Sequence, residues 1–513
     1  MITALAALIL TAQTPADADT GHLRVPPEAR AATARGDHVT AAAKTATALA
    51  ACRAAEPEPA PCLDLMLALA RSQTRAAQLV AAVATGREAR ATADRLENSN
   101  DPRRTRARVA LAYPVELIGR RMEAEELQRE ALELARVHYP PGHRELVSIR
   151  YALGTNLYRQ GRLEEAGIEL RAAMAVVEAG AKVSEADLYG LVDALAVVLD
   201  EQRRFAEAEA MYRRSIALLE AASPADATSL SARTIALGKV LAQQERFTEA
   251  GAIFARALAI REAASQADPT SIGEALGLVG RNLNMQRRPG EAAVVLRQLV
   301  ALYERTLPPD DSRLRVALND LAGALWLIGR GAEADATMTR ALDLCRRHCD
   351  PNGPAQPSAM SNYASILIEQ NRYREAEKLL LETIALQERR AHTAEDRADL
   401  ASDYGNYGVL LGRTNRPVEA EAALRKAVTL GDAAYPPGHP WAADLRGDLA
   451  RILHKRWTSP AERRTLFRDA GRSALADLKG VELTSADGRG RIDGMRDLFT
   501  GQVAAAWDLS VRQ

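Results

Sequence analysis

Gly161-Arg162-Leu163-Glu164-Glu165-Ala166 is the stretch that decides how this chain folds. Its Glu-Ala core recurs as Glu123-Ala124, Glu207-Ala208, Glu249-Ala250, Glu291-Ala292, Glu333-Ala334 and Glu375-Ala376, each step being 42 residues, and an eighth copy, Glu419-Ala420, follows after 44. Four residues before every alanine stands an arginine: Arg120, Arg162, Arg204, Arg246, Arg288, Arg330, Arg372 and Arg416. A period of this length marks a repeat architecture, in which each unit buries its apolar face only against its neighbours.

Further columns keep the same register. Twelve residues before each alanine sits a small residue (Ala112, Gly154, Ala196, Gly238, Gly280, Ala322, Ala364, Gly408), and nine before it an aliphatic such as Leu157 or Leu367. Four after it comes a bulky apolar side chain in seven of the eight copies, for instance Leu170, Tyr212 and Phe254; Gln128 breaks the column in the first. Each copy therefore reads as one apolar helical pattern, a break and a second apolar helical pattern. The break falls five residues before the alanine, at Gly119, Gly161, Gly329, Asn371 and Asn415, residue types that readily take the left-handed conformation ending a helix. Arg203, Glu245 and Arg287 stand there in three copies, at a conformational cost. The glutamate lies in the first turn of the second helix, where its charge meets the positive end of the helix dipole. The small residue and the alanine let the two helices approach, and bulky neighbours fill the remaining space.

This pattern resembles the tetratricopeptide repeat, in the 42-residue form found in kinesin light chains and many bacterial proteins. The resemblance rests on small-x-x-Leu, then Gly-Arg-x-x-Glu-Ala, then a bulky residue and an Ala-Leu-like pair, as in Gly161 to Ala166 with Leu170, Ala173 and Met174. It implies an all-α fold, a right-handed superhelical solenoid of antiparallel helix pairs. Eight such repeats cover residues 101–438, joined by polar, proline-bearing segments such as Tyr139-Pro140-Pro141-Gly142-His143. Residues 24–98 read as degenerate helical repeats, with Gly86-Arg87-Glu88-Ala89 echoing the motif out of register. Residues 439–513 read as a capping helix over 440–457 and a helical tail, because a solenoid end must cover its last apolar face.

Composition agrees. At 513 residues the chain exceeds one conventional core, and aromatics are 4% of it, too few for a sandwich or barrel interior. Lys+Arg and Asp+Glu are both 67, so no overall field favours nucleic acid or an anionic membrane. The apolar run Ile2 to Leu10, followed by Ala16-Asp17-Ala18, fits a signal peptide over residues 1–18, although no Lys or Arg precedes the run. That predicts a periplasmic or secreted protein with no integral membrane segment after processing; a cytoplasmic protein with an Ala-rich first helix is the alternative.

The cysteines form two close pairs, Cys52 with Cys62 and Cys345 with Cys349. They are disulfide candidates suited to an oxidising compartment, with buried free thiols as the alternative reading. No catalytic constellation emerges. The periodic glutamates repeat at equivalent helix starts and so do not converge, which argues for structural roles. Cys345-Arg346-Arg347-His348-Cys349 is a single cluster, whereas structural zinc takes two separated ligand pairs, so neither metal nor cofactor is expected. There is no phosphate-binding glycine loop and no Gly-x-Ser-x-Gly elbow.

The chain is thus expected to be a scaffold for a protein or peptide partner and not an enzyme. In the family the first helices line a concave groove. Carrying those positions over gives Tyr113, Tyr151, Tyr158, Arg159, Lys239, Arg281, Asn284, Asn319, Trp326, Asn362 and Asn406, with Thr155, Asp193, Gln243 and Ser365 beside them. Amides suit an extended peptide backbone, and Tyr and Trp suit anchoring. The layout is also similar to the repeat half of bacterial proteins that carry a caspase-like CHAT peptidase. No Cys follows Cys349 and no His follows His454, so that resemblance implies at most a regulatory or substrate-binding subunit for a separately encoded peptidase.

Overall fold

In the computed structural model the described residues are 25–477, apart from 57, 222–225, 265–267, 309–310, 349–354, 391–392, 436–439 and 457–459. The expected signal peptide and the part of the expected helical tail beyond 477 lie outside them. The chain divides at Asp268 into two compact units.

The first unit contains helices α1 (Pro27–Ala34), α2 (His38–Ala55), α3 (Leu63–Arg75), α4 (Leu79–Asp94), α5 (Arg103–Leu117), α6 (Arg121–His138), α7 (Arg144–Arg159), α8 (Leu163–Glu178), α9 (Glu185–Glu201), α10 (Phe205–Ala221), α11 (Ala227–Gln243) and α12 (Phe247–Ala263). The second contains α13 (Pro269–Met285), α14 (Pro289–Thr306), α15 (Ser312–Leu327), α16 (Gly331–His348), α17 (Ala355–Glu369), α18 (Tyr373–Glu388), α19 (Ala394–Arg413), α20 (Pro417–Ala434), α21 (Pro440–Lys455) and α22 (Pro460–Asp477). Both units are all-α. Within each, odd- and even-numbered helices pair as antiparallel hairpins, and each second helix also packs on the first helix of the following pair.

The breaks behave as the residue types dictate. Gly161 has φ +78°, and Arg203, Glu245 and Arg287 take the same left-handed conformation at +59°, +60° and +58°. Their backbone N–H groups close the preceding helix, as Arg287 N donates to Asn284 O at 2.9 Å, and that closure offsets the steric cost of a side chain there. The following arginine is the N-cap residue. Its guanidinium pairs with the glutamate three residues on in all eight copies, for example Arg162 with Glu165 at 2.6 Å and Arg416 with Glu419 at 2.6 Å. The glutamate is therefore held by a side chain as well as by the helix dipole.

A second bridge forms wherever the residue after the buried alanine of the preceding copy is acidic. Arg162 reaches Glu125 at 2.6 Å, Arg246 reaches Glu209 at 2.5 Å, Arg372 reaches Asp335 at 2.8 Å and Arg416 reaches Glu377 at 2.6 Å. These guanidinium groups tie one hairpin to the next.

The repeats extend beyond the eight framed copies. Gly36 and Ala77 are left-handed, at +77° and +57°, and the alanines five residues later, Ala41 and Ala82, are fully buried. Two repeats therefore precede the framed series, and their register runs through Ala82. The echo at Gly86 to Ala89 is no repeat start, because it lies inside α4. A Cβ on Gly86 would stand 3.1 Å from Leu111 Cδ1, so the glycine there serves close packing against α5. Sequence missed this register because Gln78 replaces the arginine and Ala81 the glutamate.

At the other end α21 is the first helix of a further hairpin with α22. Ala450 and Leu453 take the small and aliphatic positions, Glu462-Arg463 stands at Glu-Ala, and Phe467 and Ala470 follow at the bulky and small positions, all buried except Glu462. Arg463 fills an alanine site, with its Nη1 2.7 Å from His454 Nδ1.

Gln128, the exception in the bulky column, is buried in a polar network in place of an apolar contact. It accepts from Asn156 Nδ2 at 2.9 Å and donates to Glu116 at 3.4 Å, while the same Asn156 nitrogen donates to Arg121 O at 3.0 Å. Gln128 can stand in that apolar column because Asn156 and Glu116 satisfy its carboxamide. Cys52 and Cys62 are joined by a disulfide, with Cα atoms 5.9 Å apart, which staples the end of α2 to the turn leading into α3. Cys345 is also disulfide-bonded; Cys349, its expected partner, lies outside the described residues. Among the described residues no helix is long and apolar enough to cross a membrane.

Candidate functional site

Successive first helices touch one another within each unit, α5 with α7 and α7 with α9 in the first, and α13, α15, α17, α19 and α21 in series in the second. Their outward residues therefore form one continuous surface per unit. The expected site residues divide accordingly: Tyr113, Tyr151, Tyr158, Arg159 and Lys239 belong to the first unit, and Arg281, Asn284, Asn319, Trp326, Asn362 and Asn406 to the second.

In the first unit the surface is aromatic and its charges are largely spent. Tyr113, Tyr151 and Tyr158 are all half-buried, and burial pushes each phenol above its ordinary value. Arg159 is not a free cation. Its Nη1 pairs with Glu116, whose side chain is 3% exposed, and burial pushes that carboxyl up against the pull of the guanidinium. Thr155 and Asp193 turn inward: Thr155 bonds to its own helix at Ala152 O, 2.9 Å, and Asp193 is paired in the interior with Arg233 at 2.5 Å. Burial raises Asp193 to about 6 even beside that guanidinium. Lys239 and Gln243 are exposed.

The second unit presents more unspent hydrogen-bonding capacity. Arg281 is exposed but anchored, its Nη1 lying 2.8 Å from Asp320 on the next first helix. Asn284 is half-buried, and its Oδ1 is shielded from solvent without a partner. Asn319 is half-buried and Asn362 exposed. Asn406 Nδ2 donates to Ser365 Oγ at 3.3 Å across the α17/α19 contact. Trp326 is half-buried, with one side against the core around Met338 and Met360. A Cβ on Gly323 would meet nothing within 4 Å, so the α15 backbone is open there, whereas Gly277 and Gly405 are buried.

Glu116, Arg233 and Asp320, which orient the surface from below, were not found by sequence reasoning. Each occupies a column filled elsewhere by uncharged or unrelated residues, so only contact identifies its partner.

Two family models match the sequence, both described as tetratricopeptide repeat: one at residues 193–226 and 234–269, the other at 313–389. The chain carries tetratricopeptide repeats. Repeats of this family generally serve protein interaction. No curated protein matches the sequence. Among solved structures, the apo form of RapI is 11% identical over 73% of this chain and 99% of its own, with a TM-score of 0.49. A tetratricopeptide repeat protein from Parabacteroides merdae is 15% identical over 58% and 98%, with a TM-score of 0.40. The putative kinesin light chain repeats of Podosopora anserina are 18% identical over 41% and 98%, with a TM-score of 0.33.

Proposed function

We propose that the second unit of this tetratricopeptide-repeat protein holds an extended segment of a partner protein along α13, α15, α17 and α19. The supporting observation is the succession of side-chain amides, Asn284, Asn319, Asn362 and Asn406, on consecutive first helices, one with a shielded carbonyl oxygen that lacks a partner. A carboxamide offers both a donor and an acceptor, which matches the alternating N–H and C=O groups of an extended backbone. Trp326 would be the anchor, since a half-buried indole gives large contact area at small entropic cost. The Cys52–Cys62 disulfide supports placing this scaffold in a periplasmic or secreted compartment.

The test is site-specific photocrosslinking in the native host, with the crosslinker at Asn362 and, as control, at exposed Arg340 on second helix α16. A partner captured through Asn362 and not Arg340, and lost with Trp326→Ala or Asn406→Ala, is the expected result. Equal capture at the two positions, or no effect of either substitution, would overturn the reading.

A further inference from the structure

The repeat register exposes a charge left without its counterpart. Seventeen residues before each buried alanine the framed copies carry Ala107, Ile149, Leu191, Arg233, Ala275, Ala317, Ala359 and Asp403. Every one of these is buried, so the column belongs to the core. It faces the residue fifteen before the alanine of the preceding copy. For Arg233 that residue is Asp193, and the two close a buried ion pair at 2.5 Å. For Asp403 it is Ser361, a hydroxyl, and no cation is supplied.

Asp403 is 1% exposed, and its Oδ2 has no hydrogen-bond partner. The groups facing it come from three helices: Ser361 on α17 and the Gln387 carboxamide on α18 hydrogen-bond to it, and Asp399 on α19 adds a like charge. Around Asp399 stand Glu395, Asp396 and Arg390, with Tyr435 at the end of α20; none of them offsets a charge on Asp403. Gln387 Oε1 is itself buried without a partner. A proton on Asp403 thus removes an uncompensated interior charge, and turns Oδ2 from an unpartnered acceptor into a donor.

We propose that Asp403 is a proton-operated latch at the α17/α18/α19 junction, holding it packed when neutral and loosening it when charged. Burial pushes this carboxyl up to about 7. Because the folded value lies above the ordinary value near ~3.9, the stabilisation is complete below the ordinary value and is lost as pH rises to the folded one. The loss therefore accumulates up to about pH 7 and levels off above it. This inference does not rest on the binding surface proposed above, because it is read on the free chain.

The experiment is hydrogen exchange by mass spectrometry on the full chain from pH 5 to 8, corrected for intrinsic rates. It compares the natural sequence with Asp403→Asn and with Asp403→Ala, the residue of the same column in the three preceding copies. Protection of α17–α19 in the natural sequence, relative to either variant, should fall roughly tenfold per pH unit up to about pH 7 and then run parallel. Segments from α5 to α8 should show no such divergence. Equal pH slopes in all three proteins would overturn the latch. So would greater opening of α17–α19 in Asp403→Ala than in the natural sequence at pH 8, since that would show the charge to be needed. Should Asp403→Asn fail to fold, the alanine variant carries the same comparison.

Discussion

Arg233 Nε lies 2.5 Å from the carboxylate of Asp193, and the two side chains, 8% and 5% exposed, join the third framed repeat to the fourth from inside the core. Tyr189 OH and Ser215 Oγ complete the setting at 3.4 and 3.5 Å. A pair so placed is costly to break and cheap to replace, because most of the penalty lies in stranding one charge. Arg233→Ala should therefore destabilise the first unit by about 3–5 kcal/mol. The double variant Asp193→Val with Arg233→Leu should come within about 1–2 kcal/mol of the natural protein. Urea midpoints decide it: a double variant no better than the single one would mean that the pair contributes beyond neutralising itself.

The small column sets how near two helices come. A Cβ on Gly238 would stand 2.5 Å from Phe254 Cε1 and 2.7 Å from Cδ1, and that ring is fixed in the core at 3% exposure. Gly238→Ala should cost about 1–3 kcal/mol by overpacking, despite the better helix propensity of alanine. Ala196 sits in the same column, so Ala196→Gly tests the reverse and should cost about 1 kcal/mol from propensity. Thermal midpoints that rise with Gly238→Ala would contradict this packing.

At φ +58° Arg287 occupies a conformation that L side chains take at a cost, and its side chain is exposed. Arg287→Gly should stabilise the second unit by roughly 0.5–1 kcal/mol, whereas Gly161→Ala in the equivalent position should destabilise the first by a similar amount. Calorimetry showing the same sign for both changes would refute the assignment of strain.

Arg246 clasps Glu249 at 2.7 Å and Glu209 of the preceding repeat at 2.5 Å. Its side chain is 36% exposed, so solvent screens both bridges. Arg246→Ala should cost no more than about 1 kcal/mol at low salt and little at 1 M salt. A loss independent of salt would point to packing by the aliphatic stem instead.

How much of this was readable beforehand follows from the chemistry of each position. The hairpins, their breaks and the buried alanines were legible because a helix end needs a particular backbone conformation and a close approach needs a small side chain, and both demands are local. Arg203, Glu245 and Arg287 obscured three breaks, yet register alone placed them. The two repeats before Arg103 were harder to see, since Gln78 and Ala81 carry none of the charges that mark the others, although Ala77 and Ala82 keep the geometry. The bridges from each capping arginine back to Glu125, Glu209, Asp335 and Glu377 were present in the sequence as a column, but only contact shows that the column faces the next arginine.

Sequence by itself determined that this chain is an array of helical hairpins and where each begins, because periodic burial and helix termination are governed by residues close in the chain. Tertiary structure alone decided which charges meet. Arg159 faces Glu116 and Arg233 faces Asp193, so neither cation is available to a ligand, while Asp403 faces a serine. Electrostatic pairing acts through space across repeat junctions, where residues some forty positions apart come into contact, and no single repeat carries that information.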